Sequence, residues 1–311
     1  MKITIIGTGG VGGYLGGRLA KAGNDVTFVA RGEHLKALQK NGLTVKSIQG
    51  DFHIQPVRAT DAITETTPAD LVIIATKAWQ VKDIARQLLP VIGTNTMVLP
   101  LQNGVLSSEE LREILPHSNV LSGLCRIISK IEAPGIINHL AVEPTIIFGE
   151  YNNCKSERLV PVQTTLQKAG FKAFIADDIQ AERWKKFISI CASGWLAVTG
   201  GTYGEVCQQP ETHAILHQLY AEVAGVARAL GINIAAGFED KLMAATETFP
   251  FNSTASLTRD VWEGKPSEIE YQNGTVVRLA QKAGIKVPIN QFIYYSLLIK
   301  ERKARDHKTT N

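Results

Sequence analysis

Apolar and polar positions fall into two textures along the 311 residues. Up to about residue 176, short and nearly unbroken apolar runs alternate with helical patterns. The runs at 2–6, 25–30, 71–75 and 97–101 are rich in β-branched residues and end in turn residues, as strands buried on both faces do. Helical spacing follows the first of them to about Ala22, then recurs over Glu33–Asn41, at Val81, Ile84, Leu88 and Leu89 before Pro90, and over Ser108–Leu115. The pattern predicts a parallel, doubly wound sheet, with Val120–Ile127 continuing the alternation. Shorter strand-like pieces sit at 43–47 and 53–57. Two more, 136–140 and 145–148, carry Pro134, Gly135 and Pro144 and read as antiparallel strands that finish the sheet. A helix over 157–169 and a strand over 172–176 close this half.

From Asp177 onward the strand signals vanish. Segments 178–198, 209–230, 237–248, 254–263, 267–283 and 288–303 are helical in pattern, punctuated by Gly231, Pro250, Gly264, Gly284 and Pro288. The expected fold class is therefore α/β: a Rossmann-type domain over 1–176, then an all-helical domain over 177–311.

The first strand runs into Gly7-Thr8-Gly9-Gly10-Val11-Gly12, a G-x-G-x-x-G pattern between a strand and a helix. In that setting the first glycine allows a sharp turn and the second a close approach of backbone to a pyrophosphate. The third allows tight helix–strand packing, and the helix N-terminus offers free N–H groups. The next strand ends in Arg31 rather than an acid, which suits a 2′-phosphate by charge and planar donation and points to NADPH; a solvated surface arginine is the plainer alternative. Ligands of such sheets lie beyond the carboxyl ends of the strands, and Lys77 and Asn103 stand at two further ends.

Composition removes several classes of function. The net charge is +4, with no long basic run before the last dozen residues, so nothing points to nucleic acid. The tail Lys300–Lys308 mixes both signs and reads as a solvated helix end and frayed terminus. Cys125, Cys154, Cys191 and Cys207 form no C-x-x-C pair, and the seven histidines, His307 among them, show no ligand spacing, so no metal is expected. No apolar run approaches a membrane span, and Met1 leads directly into a strand. The expectation is a cytoplasmic protein with a small-molecule substrate and no nucleic-acid or membrane partner; association as a homodimer is left open.

In the helical half, Trp184-Lys185-Lys186 precedes an almost wholly apolar stretch. A lysine there sits either at a cleft or at the surface on a snorkelling stem. Ser253–Gly274 is dense in polar side chains around Leu257, Val261 and Ile269, as a helix pair with one functional face would be.

Taken in order, Gly7-x-Gly9-x-x-Gly12, Arg31, Thr76-Lys77, Leu101-Gln-Asn-Gly104, Trp184-x-Lys186, Ser256 and Ser267-Glu-Ile-Glu-Tyr-x-Asn-Gly274 resemble the ketopantoate reductase (2-dehydropantoate 2-reductase) family over residues 2 to 300. The resemblance implies an NADPH-dependent reduction of 2-dehydropantoate to pantoate, a step of pantothenate biosynthesis, in a cleft between the two domains. It implies that Gly7, Thr8, Gly9, Gly10, Val11, Gly12 and Arg31 hold cofactor phosphates and that Lys77, Asn103 and Glu268 also contact cofactor. Lys186 corresponds to the family's general acid and Glu268 to its partner, with Asn103, Lys186 and Ser256 on the substrate.

The chain also departs from that pattern. Ile190 and Gly194 stand where well-studied members carry substrate-gripping asparagines, and Tyr203 precedes Gly204-Glu205 where some have another. A site with fewer hydrogen-bonding groups discriminates less. Alternatives are thus a reductase of another 2-keto acid, or an NADPH-binding sensor without turnover.

Overall fold

The computed structural model describes residues 1–66 and 68–309, except the side chains of 307–309. His307 and Lys308, placed by sequence in the solvated tail, therefore lie outside the described side chains. By its internal contacts the chain forms two compact units, Met1–Gln102 with Leu106–Glu182, and Asn103–Val105 with Arg183–Asn311.

In the first unit, β1 (Lys2–Ile6), α1 (Gly10–Lys21) and β2 (Asp25–Val29) give the expected strand–helix–strand start. α2 (Gly32–Asn41), β3 (Leu43–Ser47), β4 (Phe52–Ile54), β5 (Arg58–Thr60), β6 (Leu71–Ile74), α3 (Val81–Leu88), β7 (Met97–Pro100) and α4 (Ser107–Arg112) follow. The main sheet is parallel throughout, in the order β5-β2-β1-β6-β7. Its strands are apolar on both faces because both are covered. Ile3, Ile5 and Phe28 pack with Leu15 and Leu19 of α1, whereas Ile6, Val29 and Ile74 pack with Val81, Ile84 and Leu88 of α3.

The sequence expectation fails at Val120. β8 (Leu121–Ala133) is not the next parallel strand; apart from a single bridge from Val120 to Val98, it pairs antiparallel with β9 (Ile136–Glu150) in a second sheet. Only Pro134 and Gly135, at φ +76°, separate the two strands. So short a connection permits an antiparallel hairpin and nothing else. The expected pieces 136–140 and 145–148 are one strand. Along one edge β9 takes β3 near its start and, after α5 (Leu159–Lys168), β10 (Lys172–Ile175) near its end, both in parallel. The expected strand 53–57 stops at Ile54, and the next strand begins only at Arg58. β4 pairs with β3 and β5 joins the main sheet, with Pro56, which has no N–H to donate, between them.

The second unit is helical. Its elements are α6 (Ile179–Ile190), α7 (Ala192–Thr199), α8 (Tyr203–Gln208), α9 (Pro210–Ala229), α10 (Phe238–Glu247), α11 (Ser256–Trp262), α12 (Asn273–Ala283) and α13 (Pro288–Thr309). The Asp178 side chain accepts from the Ala181 N–H at 3.0 Å, starting α6 as an N-cap. The single helix expected over 178–198 breaks at Cys191, whose carbonyl accepts from Asn273 Nδ2 at 3.2 Å, while Ser193 Oγ takes the Ile190 carbonyl at 2.6 Å. Side chains thus satisfy carbonyls at the break. Phe187, Ile188, Leu196, Leu219, Val223 and Ile293 form the core of this unit.

Candidate functional site

In the first unit the glycine loop turns off β1 at Gly7, whose φ is +92°. A side chain there would collide with the backbone of Thr76, and one on Gly12 with the Gly7 carbonyl. The amides of Gly7 and Thr8 both donate to the Val29 carbonyl at 3.1 Å, and Thr8 Oγ1 does so at 3.0 Å. Thr8 is buried, and both its hydroxyl and its amide are spent on this strut. Gly9, the N-cap of α1, differs from its neighbours: a Cβ there would point into open space. The cradle in front of the helix N-terminus is therefore shaped by backbone alone, and it fits a pyrophosphate that must approach closely. Gly10 and Val11 open the helix behind it.

Arg31 is exposed, two residues beyond β2, at the N-cap of α2. Lys77 lies beyond the carboxyl end of β6, with Nζ 5.9 Å from the centroid of the Trp79 ring. Both stand at strand ends next to β1 in the sheet order, as expected for groups around a dinucleotide.

The second unit gathers the remaining residues. Asn103–Val105 leave β7 and are counted with this unit. Asn103 Nδ2 donates to Glu268 Oε2 at 3.3 Å. Arg183 Nη2 donates to the Val105 carbonyl at 2.5 Å. A three-residue strap is thus tied at one end to a carboxylate that is only 4% exposed and at the other to a buried guanidinium. A carboxylate so buried requires hydrogen-bonding partners, and the Asn103 amide is one. Lys186 is half-buried one turn after Arg183 on α6, and residues three apart share a helix face. The fold thereby brings Asn103, Glu268 and Arg183 into one constellation and sets Lys186 on the Arg183 face.

Glu268 is not on a helix, as the expected span 267–283 would have it. Residues Ile269–Tyr271 form one short turn and α12 begins only at Asn273. Ser256 is exposed at the first residue of α11. That helix is joined to α7 by Thr258 Oγ1, which donates to the Ser193 carbonyl at 2.8 Å, and Ser193 Oγ lies 2.7 Å from Gln272 Oε1.

The two departures at 190 and 194 have different physical characters. Ile190 is half-buried four residues beyond Lys186, on the same helix face. Gly194 is fully enclosed: a Cβ there would collide with Asn273 Oδ1 and crowd Ile293. A side chain at 194 requires the side chains of Asn273 on α12 and Ile293 on α13 to shift. Tyr203 is buried, packs edge-on against Phe249, and has its hydroxyl pKa raised by burial.

Arg183 is the member of this constellation that sequence reasoning missed. Its signal was available in its spacing, one turn before Lys186 on the same helix, but nothing local said that its partner would be a carbonyl 78 residues away. Among the described residues no group of three or more His, Cys, Asp or Glu side chains is arranged to hold a metal ion, and no helix is long and apolar enough to cross a membrane.

Comparison with known proteins finds family matches over most of the chain. The family described as "Ketopantoate reductase PanE/ApbA" matches residues 3–153, and "Ketopantoate reductase PanE/ApbA C terminal" matches residues 178–301. A 2-dehydropantoate 2-reductase of a Nostoc species is 31% identical over 316 residues, covering 99% of this chain and 98% of that protein. An uncharacterized oxidoreductase of Bacillus subtilis, YkpB, is 28% identical over 302 residues, covering 97% and 99%. The crystal structure of a PanE/ApbA family ketopantoate reductase from Ralstonia eutropha superposes with a TM-score of 0.90 at 28% identity, covering 98% of this chain and all of that one. With family models matching both halves of the chain and a relative 31% identical over nearly its whole length, this chain belongs to the ketopantoate reductase family of NAD(P)-dependent oxidoreductases.

Proposed function

We propose that this chain reduces the ketone of a 2-oxo acid of the 2-dehydropantoate kind, using NADPH. The observation that carries the reading is the Asn103–Glu268 bond, which fixes a buried acid in the unit that also presents Lys186. Reduced nicotinamide, when bound, supplies the hydride. The chain's own residues would do the rest. The backbone around Gly9 would cradle the pyrophosphate, and Arg31 would meet the 2′-phosphate with two parallel donors. Lys77 would add positive charge at the neighbouring strand end. Lys186 would stabilise the developing alkoxide and pass it a proton, with Glu268 balancing the ammonium. The Asn103 amide and the Ser256 hydroxyl would orient the substrate.

The test is NADPH consumption with a panel of 2-oxo acids, with NADH in parallel. Turnover with 2-dehydropantoate and a preference for NADPH are expected. Binding of NADPH without turnover on any member would return the chain to the sensor reading.

Ile190 favours a second reading, in which the substrate carries an apolar side chain. 2-Dehydropantoate and 3,3-dimethyl-2-oxobutanoate differ by one hydroxyl. Comparable kcat/KM for the two is expected, with Ile190→Asn shifting the balance toward the hydroxylated acid by about tenfold, the worth of one hydrogen bond to a substrate polar group. A strong preference of the unaltered protein for the hydroxylated acid would exclude this second reading.

A further inference from the structure

The mixed charges of residues 300–308 suggested a solvated helix end, but Glu301 does not fit that description. It is 5% exposed. Its Oε2 accepts from the Ser267 N–H at 2.9 Å and from Ser267 Oγ at 2.6 Å. Its Oε1 lies 2.6 Å from Arg305 Nε, and Arg305 Nη2 donates to the Ser267 carbonyl at 3.2 Å. One turn of α13 therefore holds the amide, the hydroxyl and the carbonyl of a single serine. Burying a carboxylate is costly unless charge-assisted hydrogen bonds offset the lost solvation, so this contact is specific.

Ser267 immediately precedes Glu268. The chain is gripped again two residues beyond it. Glu270 Oε1 accepts from the Tyr294 hydroxyl at 2.7 Å and Oε2 from Arg278 Nη1 at 3.0 Å, while the Glu270 carbonyl accepts from Arg278 Nη2 at 2.5 Å. Between the two grips the Glu268 carbonyl accepts from the amides of Tyr271 and Gln272, both at 3.0 Å. The Glu268 carboxylate, held between these two grips, meets Asn103.

We propose that Glu301 is a positioning residue of the reaction: by fixing Ser267 it keeps the Glu268 carboxylate aimed at the Asn103 amide. This inference rests on the reading of Glu268 as the acid that partners Lys186. Glu301→Gln preserves size and one acceptor but loses the charge and sets an amide N–H against Arg305. It is expected to lower kcat about tenfold, because small misplacements of a catalytic group are expensive, while KM for NADPH stays within about twofold. The pH profile of kcat should shift with it. In a Glu268→Ala background the same change should cost less than about twofold, since a residue that acts through another adds nothing once that residue is gone. In the cofactor-free protein, amide hydrogen exchange should quicken over 267–272 and stay unchanged in α7 and α9.

A purely structural staple predicts otherwise: a lower Tm, an unshifted pH profile, and the same loss in both backgrounds. That result overturns the inference. Should Glu301→Gln fail to fold, Ser267→Ala removes one of the same bonds, and a several-fold loss that vanishes beside Glu268→Ala is the expected outcome. A large effect of Glu268→Ala with none from either substitution removes this inference alone. No effect of Glu268→Ala removes the acid role and the inference together.

Discussion

Lys186 and Arg31 are where single side chains can be tested most directly. Lys186 shares a face of α6 with Arg183, whose guanidinium is locked on the Val105 carbonyl, so the helix cannot turn that face away without breaking a buried bond. Lys186→Ala should lower kcat by roughly a hundredfold or more, the usual scale for a lost general acid, and leave NADPH affinity nearly unchanged. Near-normal turnover in a folded sample would move the donor role to Lys77. Arg31 is exposed at the end of β2. Arg31→Asp should weaken NADPH about tenfold or more, as the loss of a charge-assisted pair does, and spare NADH. Titrations of both cofactors check this, and equal affinities of the unaltered protein would remove Arg31 from the phosphate site.

Elements add constraints that no single residue shows. The turn between β8 and β9 is held by α2 through His34, whose Nδ1 accepts from the Gly135 N–H at 3.1 Å. Burial pushes the His34 pKa below its ordinary value and outweighs the opposing Thr8 backbone carbonyl. The unfolded chain therefore takes up a proton before the folded one does. The stability this neutral ring contributes is present above about pH 6.5 and is lost as pH falls from there through the lowered folded value. His34→Gln keeps a neutral acceptor, so the drop in Tm between pH 7.5 and 5.0 should shrink by a few degrees in that variant. An identical drop in both proteins would show that His34 does not report on this turn.

At the scale of the molecule, every group assigned to cofactor phosphates belongs to the first unit, and the proton donor and its acid partner belong to the second. A fragment of residues 1–182 should accordingly bind NADPH within about tenfold of the full chain and show no turnover. The tenfold allowance is for the strap Asn103–Val105, which would lose its two hydrogen bonds to Arg183 and Glu268. Fluorescence titration of the fragment reads the affinity, and complete loss of binding would mean that the cradle depends on the helical unit.

The sequence by itself determined what depends on neighbours in the chain. The parallel core strands, the glycine turn before α1, the helical second half and its breaks at glycine and proline are written in periods and spacings that act over a few residues. The acid at Glu268, the lysine at Lys186 and the arginine at Arg31 could be picked out from order and type. Tertiary structure decided which strands share a sheet, because β8 reads as apolar whether its partner is β7 or β9 and only the two-residue turn resolves it. It decided that α6 ends at Ile190, because the amide that takes the Cys191 carbonyl comes from Asn273, 82 residues on. It decided that Gly194 is enclosed by the Asn273 and Ile293 side chains and that Glu301 is buried rather than solvated. For α6, Gly194 and Glu301 the deciding group is distant in sequence, and a hydrogen bond or a collision between distant groups leaves no period in the chain to read.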